Sequence, residues 1–272
     1  MGDESKSFVD VLGGYLYRET RGRGQDVLLL NAATADVRMW DTTIAWLAQI
    51  ARVTAFDYRD TGLSSPGTEP YSEIDDIAAV LDAVGVSSVV LVGCSEGARR
   101  ALGFAHRHPE RVRRVVAVSG SFGDFPDPSP QEAAARQVML DRFTQIDSVL
   151  ATAGVRAAAE VGVDAWAPAL DAYHRRRMIG LEVANTHRIT LEHYHGTELD
   201  PPVKTRFAEV TTPISVLVGG RDFEGTALWA RRLADQAPDA GLTVVAEADH
   251  FPMLSAPKQF EEFLREALAQ TG

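Results

Sequence analysis

Apolar positions fall into two rhythms along this chain, and their order predicts an architecture. Phe8 to Leu12 and Tyr15 to Glu19 alternate about Gly13-Gly14, the pattern of a short β-hairpin at a sheet edge. Asp26 to Leu30, Val53 to Phe56, Val89 to Val92 and Val112 to Ser119 instead carry short apolar runs, the form of strands buried on both faces. Helical spacing lies between them. Val37, Trp40, Ile44, Leu47 and Ile50 recur every three to four residues, Ile74 to Val84 forms a second such segment, and Ala98 to His108, ended by Pro109, a third. Strand–helix–strand order with no hairpin signal between predicts a parallel sheet with helices on its faces.

The rhythm then changes. Gly120 to Pro130 holds three prolines and two glycines, and from Gln131 to about Ala208 only helical periodicity is visible. Val138, Met139, Phe143, Ile146 and Val149 suit one face of a helix, and Ala157, Val161 and Trp166 suit another. Strand character returns in Pro213 to Gly220 and Leu242 to Ala246, with helices over Glu224 to Ala237 and Pro257 to Ala269. The expected layout is an α/β core, residues 1–120 and 209–272, interrupted by a helical lid, residues 121–208, that roofs a site on the core.

Composition narrows the partners. With 272 residues, 45% of them hydrophobic, the chain can bury one large core. A balance of 27 Lys and Arg against 38 Asp and Glu, formally −11, argues against nucleic acid or an anionic membrane surface as partner. No apolar run reaches spanning length, and the segment Met1 to Ser7 is polar, unlike a signal sequence. The single cysteine, Cys94, allows no intramolecular disulfide and fits a reducing compartment. These features predict a cytoplasmic monomer or homodimer acting on a small-molecule substrate.

The chemistry centres on Gly93-Cys94-Ser95-Glu96-Gly97, a G-x-S-x-G spacing between the Val89 strand and the helix that follows. A serine at the tip of so tight a turn crowds the residues two positions to either side, and glycine relieves that collision. Its hydroxyl is a weak nucleophile, so it needs a histidine to take its proton and a carboxylate to hold the histidine. Both belong in loops at the carboxyl ends of parallel strands. Asp222 follows the strand ending at Gly219-Gly220, and His250 follows the last strand, so the chain order is Ser95, Asp222, His250.

These residues identify the chain as resembling the α/β-hydrolase superfamily. The resemblance covers the whole sequence apart from the lid, and implies a mostly parallel eight-stranded sheet flanked by helices, with the lid inserted after strand 6. Asp57-Tyr58-Arg59-Asp60-Thr61-Gly62-Leu63-Ser64 resembles the family's D-x-R-G-x-G-x-S loop, with Asp60 where glycine is usual. Together with Met39-Trp40-Asp41 and the short lid, it is most similar to the 3-oxoadipate enol-lactonase group and to bacterial polyketide methylesterases. The resemblance implies an oxyanion hole built from two backbone N–H groups. Glu96 supplies one, and the second falls on Ala33, in a loop that reads Asn31-Ala32-Ala33 in place of the usual H-G-x. Losing one such donor raises the barrier by about 3–4 kcal/mol. Asn31 either replaces a structural hydrogen bond or faces the substrate.

Each residue also has a plainer reading. Ser95 could be an ordinary helix N-cap and Asp222 a cap for the helix near Glu224. Asp124 is the alternative acid position in some family members, and Asp249 reads as a surface carboxylate. Cys94 reads as a small buried hydrophobe. His187, His193 and His195 lack partners at zinc-ligand spacing, so no metal is expected. His174 with Arg175, Arg176 and Arg177 reads as a solvated helix face. Asn31, Met139, Phe143, Trp166 and Phe251 are the candidate pocket residues.

The expected activity is a cofactor-independent serine hydrolysis of an ester, lactone or related carbonyl compound, falling away as His250 takes up a proton. The same fold and triad also serve carbon–carbon bond hydrolysis, lyase or cyclase chemistry and perhydrolysis, and some members bind ligands without turnover. A structural interaction module fits poorly, because it would not require three such residues at loop ends on one side of a sheet.

Overall fold

The computed structural model describes residues 4–191 and 193–271, so Met1–Asp3 of the polar leader lie outside the described residues. The alternating segments form β1 (Glu4–Val11) and β2 (Gly14–Gly22), an antiparallel hairpin turning at Gly13, whose φ of +76° favours a residue without Cβ. Pairing starts already at Glu4 against Arg21, earlier than the alternation predicts.

The apolar runs follow as β3 (Gln25–Leu30) and, after a 3₁₀ turn over Val37–Trp40 and helix α1 (Asp41–Leu47), β4 (Ala51–Phe56). A two-residue strand, β5 (Tyr71–Ser72), precedes α2 (Glu73–Ala83), and β6 (Val89–Cys94) leads through α3 (Glu96–Arg107) to β7 (Val112–Val118). Ile50 departs from the expected helical face. It lies in the turn that feeds β4 and is 44% exposed.

Four helices come next: α4 (Pro130–Ala153), α5 (Val155–Trp166), α6 (Ala172–Ala184) and α7 (Thr186–Ile189). A second two-residue strand, β8 (Gly196–Thr197), pairs with β5, in a stretch where sequence periodicity shows no strand. The core resumes with β9 (Ile214–Gly219), α8 (Glu224–Gln236), β10 (Ala240–Val245), α9 (Pro252–Ser255) and α10 (Pro257–Ala269).

The main sheet has eight strands in the order β1-β2-β4-β3-β6-β7-β9-β10, parallel from β4 to β10, and the helical segment follows its sixth strand in chain order. This is the α/β-hydrolase arrangement. Alternation across the sheet sends Leu29, Val90 and Val92 into one apolar layer and Leu28, Val89 and Leu91 into the other. The central strands are therefore buried on both faces, which is what their uninterrupted apolar runs require.

The helical segment corrects two expected faces. On α4 only Ala135 and Met139 are buried, while Val138 is 58% and Phe143 40% exposed. Apolar residues occur all round that helix, so spacing signals a helix without singling out one side. On α5 the buried face is Ala158, Ala159, Gly162 and Val163, one position on from the expected Ala157 and Val161. Among the described residues no helix is long and apolar enough to cross a membrane.

Candidate active site

Ser95 occupies the turn between β6 and α3 with φ +56° and ψ −116°, and its side chain makes no capping bond to the helix. The N-cap reading thus fails, and the turn is strained by about 1–3 kcal/mol. Both flanking glycines are required sterically. A Cβ on Gly93 would stand 2.2 Å from the Gly97 carbonyl oxygen, and one on Gly97 would stand 2.2 Å from that of Leu30. The Ser95 N–H donates to the Val118 carbonyl at 2.9 Å, tying the turn to β7.

Asp222 and His250 are brought together by equally close packing. Cβ atoms on Gly219 and Gly220 would collide with the carbonyls of Asp249 and Ala246, so the loops after β9 and β10 lie in direct contact. His250 Nδ1 sits 2.8 Å from Asp222 Oδ2, and both side chains are buried. Asp222 Oδ1 accepts the Phe223 N–H at 2.7 Å, while α8 receives no side-chain cap, so Asp222 serves the histidine rather than the helix. The Trp166 ring lies 4.8 Å from the imidazole, and its carbonyl accepts the His250 N–H at 3.2 Å. Ser95 and His250 open onto the same cavity, with no hydrogen bond between them among the described residues. Such contacts commonly tighten only when substrate is bound.

Asp249 overturns its expected surface placement. It is fully buried, and its carboxylate accepts from the Phe251 N–H, the Ser255 hydroxyl and the Ala169 N–H at 3.0, 2.8 and 2.9 Å, which fixes the histidine loop. Cys94 is buried, and loss of solvation pushes its thiol well above the usual range. Asp124 pairs with Arg136 at the surface.

The cavity measures about 540 Å³. Of the five candidate pocket residues, Phe143, Trp166 and Phe251 line it and two do not. Asn31 is wholly buried. Its Nδ2 donates to the Phe56 carbonyl at 2.8 Å and its Oδ1 accepts the Trp40 indole N–H at 2.9 Å, so it replaces a structural bond. Met139 packs towards Gly225, where an added Cβ would lie 2.8 Å from its Sδ. Ala33 and Glu96 both border the cavity, and neither backbone N–H has a hydrogen-bond partner among the described residues. Glu96 opens α3, where the first amides have no partner within the helix.

The Asp57–Ser64 loop explains its departure from the usual motif. Asp60 has φ +67°, a left-handed conformation that aspartate tolerates better than most residues, and its Oδ1 accepts the Gly67 N–H at 3.0 Å. Arg59 pairs bidentately with Asp76 at 2.9 Å and stacks over Tyr71.

Two features escaped sequence reasoning. Asn185, at the end of α6, accepts the Gly62 N–H at 2.8 Å and donates to the Thr34 carbonyl and to Asp36, clamping the helical segment to the Asp57–Ser64 loop and to the Ala33–Thr34 loop that borders the cavity. Its lone signal was an asparagine at a helix end. At one end of the cavity, Glu73 and Glu96 are held by Arg99 and Arg100, with the Tyr194 hydroxyl between. Burial opposes ionisation of Glu73, but Arg100 and Arg99 outweigh it and hold the carboxyl down at about 2. The basic run on α6 is likewise matched, His174 by Asp171, Arg175 by Asp164 and Arg177 by Asp41. Among the described residues no group of three or more His, Cys, Asp or Glu could hold a metal ion.

Comparison with known proteins points one way. A family model described as "Alpha/beta hydrolase family" matches residues 27–263. A protein named "Putative carbamate hydrolase RutD" from Caulobacter sp. (strain K31) is 24% identical over 253 residues, covering 90% of this chain and 92% of its own. The structure of Est816, described as an N-acyl homoserine lactone degrading enzyme, superposes with a TM-score of 0.71 at 26% identity, covering 96% and 99% of the two chains. The enol-lactonase from Burkholderia xenovorans LB400 superposes with a TM-score of 0.74 at 19% identity, covering 97% and 100%, a likeness of fold alone.

Proposed function

Because the chain belongs to the α/β-hydrolase family, we propose that it is a serine hydrolase acting on a small or medium ester, lactone or related carbonyl compound. The observation that carries this reading is the 2.8 Å Asp222–His250 hydrogen bond, opening with Ser95 onto one cavity. In the proposed cycle Ser95 Oγ attacks the substrate carbonyl while His250 Nε2 takes its proton, and Asp222 holds the imidazolium by its Nδ1–H. The N–H groups of Ala33 and Glu96 stabilise the oxyanion, aided by the amino end of α3. Collapse expels the leaving group with the proton from His250. Water, deprotonated by His250, then cleaves the acyl-enzyme and restores Ser95.

Residues 121–208 act in this reading as a lid over a core formed by residues 1–120 and 209–272. The aromatic wall of Phe122, Phe143, Trp166 and Phe251 suits an apolar substrate portion, and the cavity lies within the size range of small-ligand sites. The names of the relatives, a carbamate hydrolase and a lactone-degrading enzyme, fit a carbonyl substrate of this kind.

The test is covalent labelling with a fluorophosphonate probe alongside hydrolysis of short-chain nitrophenyl esters, in the protein and its Ser95→Ala variant. Labelling and turnover that vanish in the variant are expected. A folded wild-type protein that neither labels nor turns over an ester would overturn the reading.

A further inference from the structure

We infer that Glu182 is a specificity-determining residue of the cavity, and that it selects substrates carrying a hydroxyl or amino hydrogen-bond donor beyond an apolar stem. The inference rests on the proposed reading for where the reacting carbonyl sits.

Glu182 lies on α6 and lines the same cavity as Ser95 and His250. Its carboxyl has no hydrogen bond and no ion pair among the described residues, in contrast to the other carboxylates that border the cavity. Glu73 has Arg99 and Arg100, Glu96 has Arg99, Arg100 and Arg188, and Glu198 has Arg99. Glu182 is half-buried, and a carboxylate largely removed from water without a partner is costly to ionise. Loss of solvation pushes Glu182 up to about 7, leaving it able to accept or donate a hydrogen bond near neutral pH.

The carboxyl is also held in place. Its Oε2 lies 3.3 Å from where a Cβ on Gly162 of α5 would stand, so the glycine makes room for it. Three residues on, Asn185 clamps the end of α6 to the loops at Thr34 and Gly62, which prevents the helix from turning Glu182 out to water. Arg188, which lines the cavity with Glu182, is taken by Glu96 and by the face of Tyr194, and Arg177, five residues before Glu182 on α6, is taken by Asp41. Phe143 and Trp166, rings 5.7 Å apart, line the cavity with it. A substrate stem against those rings leaves its far end for Glu182.

Binding isolates this role from turnover. Butanamide, hexanamide, octanamide and their ω-hydroxy counterparts, which a serine hydrolase does not readily cleave, are titrated calorimetrically into the wild-type protein, Glu182→Leu and Glu182→Gln. For at least one chain length the wild type should prefer the hydroxy compound by about tenfold, as expected of a hydrogen bond to a charged group. Glu182→Leu should lose or reverse that preference, and Glu182→Gln, which still accepts a hydrogen bond, should keep most of it. Equal preference in the wild type and Glu182→Leu, or no binding of any pair by the wild type, would overturn the inference. Fluorophosphonate labelling of the same samples separates the two readings. Labelled protein with no hydroxy preference rejects the role of Glu182 alone, and a clear preference in unlabelled protein rejects the serine chemistry alone.

Discussion

Two ends of one cavity treat charge in opposite ways. At the Glu73 end, Glu73 and Glu96 are each bound by both Arg99 and Arg100, so their charges are permanently compensated. At the serine end, the partners of Asp222 among the described residues are His250 and one backbone N–H, and the His250 side chain borders the cavity. The difference is one of exchangeability. An arginine does not give up its proton, so carboxylates paired with it serve as architecture. A carboxylate paired with histidine sits beside a group able to gain and lose a proton. Glu182, with no hydrogen-bond or ion-pair partner among the described residues, stands at the far limit of that series.

Asp222→Asn tests the contrast most severely. It preserves shape but reverses the bond to Nδ1, and ester turnover should fall by about 10⁴-fold with little change in melting temperature. A fall under tenfold would show that His250 does not depend on this partner.

Glu73→Gln probes the opposite end. It takes one carboxylate from Arg99 and Arg100, which both keep Glu96, and chemical denaturation should show a loss of about 1–3 kcal/mol. The pH dependence has a definite sign. Because Glu73 is held at about 2 against an ordinary value near 4.5, its contribution is present above about 4.5 and is lost as pH falls towards 2. The variant should lack that acid-side decline, and an unchanged acid limb would put the network's stabilising role in doubt.

Asn185→Ala should cost about 1–3 kcal/mol, since it strands the Gly62 N–H and the Thr34 carbonyl. A urea midpoint shift at constant slope is the measurement. Glu182→Leu should give the smallest stability effect at acid pH, where the carboxyl is protonated in both the native and the unfolded chain. The native carboxyl keeps its proton up to about 7, whereas the unfolded one releases it near 4.5. Wild-type stability should therefore decline relative to the variant as pH rises through that interval, and parallel curves would contradict the desolvation of Glu182.

Legibility in the sequence followed the range of the forces involved. Gly93 is set by a collision with Gly97 inside the five-residue turn, Gly97 lies beside the Leu30 carbonyl of the neighbouring strand, and Asp222 and His250 stand directly after strands that their apolar runs reveal. Asn185 and the Glu73–Arg99 pair depend on contacts 26 to 151 residues apart, which no local spacing encodes. Asp249 misled because a charged residue in a tight loop reads as solvated, whereas three donors converge on it from two segments. The faces of α4 and α5 were hidden for another reason: alanines and apolar residues surround both helices, so the period was visible and the phase was not.

The burial of Cys94 has a practical consequence. It is the sole cysteine in the sequence, and its sulfur is enclosed 3.7 Å from the His250 carbonyl oxygen. Thiol-directed reagents therefore meet a chemically silent background. A cysteine introduced at exposed Val138 on α4 would be the one reactive thiol of the chain, and a spin or fluorescent label placed there would report the movement of that helix alone.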